Sequence, residues 1–199
     1  MKSIYILVLV LISSVPISCE QATEADVFLS LSDQEVKDLT FLREEEKLAY
    51  DVYIYAFNKY SLNIFNNISK SELSHTYAVL NTMKAYDLND PVDNNQAGIF
   101  TNNDLQLIYD DLTAKVDLSE NDALEVGATI EDLDINDIAL MLEHTENADL
   151  ITLYNNLICG SRNHLRSFSS WLNNEYSPSY ISQEDYNQII NSDKENCNN

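Results

Sequence analysis

The chain is poor in the residues that break or staple a backbone. Its 199 residues include three glycines, three prolines and three cysteines. Turn-rich β architectures and low-complexity scaffolds need far more Gly and Pro, so long uninterrupted helices are the expectation. Three cysteines are too few for a disulfide framework. Positive charge is scarce as well, with 11 Lys+Arg against 33 Asp+Glu and a formal net charge of −22. That balance argues against nucleic acid as a partner and against electrostatic docking on anionic lipid. Apolar residues, at 45%, suffice for one well-cored domain of this length.

The N-terminus reads as an address. Residues 1–18 hold a basic start at Lys2, an apolar run from Ile4 to Ile12, then small residues and Pro16. About ten apolar residues are too few to span a hydrocarbon layer of ~30 Å, so an export signal is expected and not a transmembrane helix. Ile17-Ser18-Cys19 resembles the end of a bacterial lipobox, in which Cys19 becomes the lipidated first residue of the mature protein. Pro16 stands where that motif usually holds Leu, Val or Ile, and the competing reading is plain secretion with an incidental Cys19. A lipid anchor would be the chain's only hold on a membrane of the cell envelope. Cleavage before Cys19 removes Lys2 and no acid, leaving 10 basic and 33 acidic residues, net −23. Cys159 and Cys197 remain, and nothing in the sequence supports a bond between them.

Residues 19–31 read as a tether, 32–176 as a helical bundle, and 177–199 as a short helix with a disordered tail. Ser32-Asp33-Gln34-Glu35 is a capping box, and nothing breaks the helix from there to Tyr60. A second helix is predicted over about Ile64 to Tyr86, with Phe65, Ile68, Val79 and Met83 on one face. Leu88 to Phe100, with Pro91 and Gly98, forms the long connection. Thr101 is the expected cap of a shorter helix reaching Val116. Ser119 caps a third long segment to about Thr145, with a kink near Asp134, and Asn147 opens a fourth that continues to Tyr176. Ser182 to Asn191 forms the last short helix. Four amphipathic helices with one long crossover define an all-α helix bundle.

Polar residues interrupt the apolar stripes at helical spacing. On the first helix the skipped place between Leu42 and Ala49 is Glu46, with Glu45 its nearest rival. On the second, Glu72 and His75 fall between Ile68 and Val79 at steps of four, three and four. Glu131 and Asp134 keep the cadence on the third, and Ser161 and His164 on the fourth. Carboxylates and imidazoles are rarely buried without partners, and a metal centre between the helices would satisfy all of them at once. An oxygen-rich set with imidazole suits iron or manganese better than a closed structural zinc site. Ser161 is too weak a donor to replace a carboxylate but can hydrogen-bond one that ligates.

The bland readings run alongside. Glu44, Glu45 and Glu46 would otherwise belong to a solvated acidic face, Glu72 would complete a cap with Ser69, and Asp134 would cap a helix starting at Ile135. His75 and His164 would be ordinary core histidines. His144, near a helix end, is explained by the helix dipole. Arg43, Lys47 and Arg166 either balance buried acids or form exposed pairs.

Five stretches resemble the DUF2202 family: Phe41-Leu42-Arg43-Glu44-Glu45-Glu46-Lys47-Leu48-Ala49, Ser71-Glu72-Leu73-Ser74-His75, Gly98-Ile99-Phe100-Thr101-Asn102, residues 126–135 from Val126 to Ile135, and residues 160–168 from Gly160 to Phe168. The resemblance spans about Leu31 to Leu172 and implies a ferritin-like four-helix bundle. In the wider ferritin-like superfamily two irons are held by Glu, Glu-x-x-His, Glu and Glu-x-x-His on four helices. Glu46, Glu72 with His75, Glu131 and His164 match that pattern, while Ser161 stands where the last Glu should be. Asp134, one turn after Glu131, is the candidate to restore the missing carboxylate. A single ion held by Glu46, Glu72 and His75 is the conservative version. The N-terminal address and this ligand pattern together lead to the expectation of a metal-binding envelope protein, a di-iron oxidoreductase acting on oxygen or peroxide with an external electron donor. The alternative is a lipid-anchored interaction module carrying a degenerate site.

Overall fold

A computed structural model describes residues 30–92 and 95–197. The expected export signal, Cys19 and most of the tether lie outside them. Six helices and no strand are found among the described residues: α1 (Asp33–Tyr60), α2 (Asn63–Ala85), α3 (Asn103–Val116), α4 (Glu120–Glu143), α5 (Ala148–Trp171) and α6 (Gln183–Asn191). None of the described helices is long and apolar enough to cross a membrane.

Local chemistry accounts for the boundaries. The Ser32 hydroxyl accepts from the Glu35 amide, and the Glu35 carboxylate accepts from the Ser32 amide at 2.7 Å, so the capping box starts α1. Ser119, Asn147 and Ser182 cap α4, α5 and α6 in the same way. The cap of α3 is Asn102, not Thr101. The Thr101 amide donates to the buried Glu44 carboxylate, which frees Asn102 Oδ1 to accept from Asp104 and Leu105. Asp134 lies inside α4, which is helical throughout, so it caps nothing. Helix α5 stops at Trp171, short of the expected Tyr176. Asn173 and Asn174 turn the chain with left-handed φ of 54° and 61°, and the Asn174 amide closes the turn on the Ser169 carbonyl.

Partners along the helices establish their directions. Thr145, after α4, donates to Glu35 at the start of α1, whereas Asp117, before α4, meets Lys59 at the end of α1. Tyr86, after α2, hydrogen-bonds Asn147 and Asp149 at the start of α5. Both neighbour pairs are therefore antiparallel, as are the hairpins α1–α2 and α4–α5. The connection from α2 to α4 must run the length of the bundle, and α3 lies along it.

Residues on the back of α1 hold that crossover down. Lys47 is buried, with Nζ 2.5 Å from Asp51, 2.9 Å from the Gln96 carbonyl and 4.4 Å from the Phe100 ring centre. Asp51 accepts from the Gly98 amide, Glu44 from Asn102, and Arg43 pairs with Asp90 at 3.1 Å. Glu44, Glu45 and Glu46 are all buried. The solvated acidic face is thus excluded, because the crossover covers one side of α1 and the other helices cover the rest.

The C-terminal segment is also docked, against the expectation of a disordered tail. Buried Asp132 accepts from the Tyr176 hydroxyl and the amides of Ser179, Tyr180 and Ile181. Glu195 pairs with Arg162 and Arg166, and Cys197 is disulfide-bonded to Cys159. Arg166 therefore balances a tail acid and not the buried cluster. The composition of this segment is polar, yet its few anchoring groups find partners on α4 and α5.

Candidate metal centre

The middle of the bundle carries a layer of packed rings on which the polar cluster sits. Tyr53, Phe65 and Phe168 lie 5.4–6.2 Å apart, ring centre to ring centre. Gly127 makes room for them, since a Cβ there would stand 2.3 Å from Phe168 Cε1. Next to this layer, Glu46 of α1, Glu72 and His75 of α2, Glu131 of α4 and His164 of α5 converge.

They form two triads that share one residue. Glu46, Glu72 and His75 make the first, Glu72, Glu131 and His164 the second, and the ligand atoms within each lie within 4.8 Å of one another. His75 Nδ1 is 2.9 Å from Glu72 Oε2 and 3.2 Å from Glu46 Oε2. His164 Nδ1 is 2.7 Å from Glu72 Oε1 and 3.4 Å from Glu131 Oε2. Each oxygen of Glu72 thus faces a different imidazole. The two rings stack with centres 5.7 Å apart.

Several of these atoms are close without being satisfied. Glu46 Oε1, Glu72 Oε1 and His164 Nδ1 are buried and make no hydrogen bond of acceptable geometry. His164 Nδ1 and Glu72 Oε1 are 2.7 Å apart without the alignment of a donor on an acceptor. Atoms that share an ion at ~2.1 Å are at most ~4.2 Å apart, so both triads lie within a small side-chain adjustment of coordination. Buried acceptors without donors are costly, and a cation between them removes that cost.

Burial and mutual charge shift every member. Desolvation pushes Glu46 and Glu131 up to about 7, against the opposing pull of His75 and His164 respectively. Desolvation would also raise Glu72, but the two imidazoles outweigh it and hold its carboxyl well below the usual range. In return, although burial opposes charging them, the carboxylates drive His75 well above its ordinary value and His164 up to about 10.

Two sequence candidates stand beside the triads and not in them. Asp134 belongs to neither; its carboxylate accepts the Ser161 hydroxyl, and burial near Glu46 and Glu72 raises its pKa well above the ordinary range. Ser161 therefore serves Asp134, and the missing fourth-helix Glu leaves no gap in either triad. Glu45 is buried with neither oxygen hydrogen-bonded, and desolvation together with Asp134, Asp137 and Glu46 raises it strongly. His144 sits apart, 3.0 Å from Asp38 at the bundle's end.

Two contributors were less visible in the sequence. Tyr53 donates its buried hydroxyl to Glu131 Oε1 at 2.5 Å, orienting that carboxylate. Gly160 lies against His75, where a Cβ would meet the ring at 2.7 Å, so the bare backbone of α5 is what lets the imidazole stand upright. A groove between α2 and α5, of about 980 Å³, reaches both imidazoles and gives the cluster its access to solvent.

Fold and site together define an all-α bundle protein with a buried two-imidazole, three-carboxylate cluster on four helices. The chain belongs to the DUF2202 family, described as "Uncharacterized protein domain (DUF2202)", which matches residues 35–193. It is 48% identical over 168 residues to "Uncharacterized protein MJ0754" of Methanocaldococcus jannaschii, covering 83% of this chain and 91% of that one. The crystal structure of the same hypothetical protein superposes with a TM-score of 0.82 over 83% of this chain and 96% of that chain.

Proposed function

We propose that this protein is a ferritin-like, metal-binding protein of the bacterial cell envelope, anchored through Cys19, whose cluster holds two divalent ions for redox chemistry on oxygen or peroxide. The observation that carries the reading is the placement of Glu72, with one oxygen facing His75 and the other facing His164. A side chain in that position would serve two sites, with Glu46 and His75 holding one ion and Glu131 and His164 the other. Three carboxylates and two imidazoles suit iron or manganese. Bound iron would supply the one-electron steps.

The chain's own groups bind, orient and shield. Tyr53 fixes the rotamer of Glu131, the Phe65–Phe168 layer keeps water from one side, and the α2–α5 groove admits the oxidant past the two imidazoles. Neither described cysteine is a free thiol, since Cys159 and Cys197 bond each other, so reducing equivalents come from an external donor.

Metal analysis of the purified protein tests this. Loading with ferrous or manganous ion should give about two ions per chain, Glu72→Gln should remove both, and His75→Ala should remove one. A protein that takes up no metal would refute the reading and favour a non-enzymatic, lipid-anchored interaction module.

A further inference from the structure

The groove over the cluster is far larger than a diatomic oxidant requires. Its volume of about 980 Å³ lies at the upper end of small-molecule sites, which run ~300–1,000 Å³. Its wall is chemically unlike the rest of the chain. Asp and Glu make up 33 of 199 residues, yet no acid among the described residues lines the groove. Asn67, Ser71, Asn156 and Ser167 offer neutral hydrogen-bonding groups along it, and Leu153 and Trp171 offer apolar surface.

Positive charge gathers at one side. Of the chain's 11 Lys+Arg, Arg166 and Lys194 line it, and the Glu195 carboxylate that pairs with Arg166 is shared with Arg162 behind the wall. Arg166 is tied to Glu195, the Ile189 carbonyl and Asn163, so its charge is fixed in the wall. Lys194 is exposed on the groove's edge. At the floor, two divalent ions against the three carboxylates of the triads would leave a net positive centre.

We propose that this groove binds a small organic anion of the carboxylate class. The carboxylate lies toward Lys194 and Arg166, and the apolar part lies against Trp171, on the His164 side of the groove. The inference extends the metal reading above, because it names what approaches the same centre, but the wall that selects the anion is present without metal.

Trp171 is the chain's one tryptophan, half-exposed on the groove, so its fluorescence reports occupancy directly. Cyclohexanecarboxylate and cyclohexylmethylammonium share a frame and differ in charge. Titrated into metal-free protein, the carboxylate should shift Trp171 emission at millimolar concentration and the ammonium should not. Lys194→Glu, on the surface and outside the triads, should weaken the carboxylate about five-fold. Manganese loading should tighten it. Ammonium binding equal to or tighter than carboxylate binding overturns the proposal, as does an unchanged affinity in Lys194→Glu or no response to either probe. A protein that binds the carboxylate yet takes up no manganese keeps this inference and loses the metal centre.

Discussion

Without metal, the buried cluster must balance its charge with protons, and the number of those protons is a measurable signature. At pH 7 His75 and His164 are charged and Glu72 is ionised. Glu46 and Glu131 are each pushed up to about 7, so together they carry about one proton. The cluster is then close to neutral, as burial demands. Coordination requires neutral imidazoles and ionised carboxylates. Loading both triads should therefore expel about three protons per chain at pH 7: one from each imidazole and about one from the Glu46–Glu131 pair. At pH 8, where those carboxyls are mostly ionised already, the number falls to about two. Calorimetric titration of metal-free protein with manganous ion, in buffers of unlike ionisation heat, gives the count as the slope of heat against buffer enthalpy. Because the protons sit on the metal-free form, affinity rises with pH, and the product of the two binding constants grows about a thousandfold per unit near pH 7. Stoichiometric binding with a slope near zero would refute the assignment, since the ligands would then be groups already deprotonated.

Gly160→Ala adds a methyl 2.7 Å from the His75 ring, which can swing away, and it also gains ~1 kcal/mol of helix propensity. The expected result is a nearly unchanged Tm with one ion lost per chain, read by metal analysis. Gly127→Ala has no such escape, because Phe168 is locked among Tyr53 and Phe65, and a loss of about 1–3 kcal/mol in denaturant unfolding is expected. Glu195 is held at about 2 by Arg162 and Arg166. A depressed carboxyl contributes above its unfolded value near 4.5 and is lost as pH falls toward about 2; for this partly exposed group about 1–2 kcal/mol of tail docking should disappear over that range, seen in amide exchange of residues 192–197. Cys197→Ser removes a 38-residue cross-link and should cost up to ~2–4 kcal/mol, with faster proteolysis after α6 if the link restrains the unfolded chain as expected.

The all-helical class, the capping box of α1, the inward positions of Glu46, Glu72, His75, Glu131 and His164, and the long crossover were all readable from local pattern. Period and capping depend on neighbours three or four residues away, and those the chain carries in order. Three other matters were decided only by contacts between distant residues. The first is which acids pair: Asp134 and Glu131 sit one turn apart on the same stripe, yet only Glu131 meets His164, while Asp134 meets Ser161. Period alone leaves the two equivalent, and the antiparallel register of α4 against α5, which sets 131 beside 164 and 134 beside 161, separates them. The second is the burial of Arg43, Glu44 and Lys47: the sequence allows Glu44 a solvated face and leaves the two basic residues open between buried acids and exposed pairs, until the crossover supplies the amides and carbonyls that bind them. The third is the tail, where a polar composition predicts disorder and one disulfide with two arginines reverses it. A linear pattern records which face a residue occupies; the partner on the opposing face, and hence whether a buried charge is tolerated, exists only after the helices have packed.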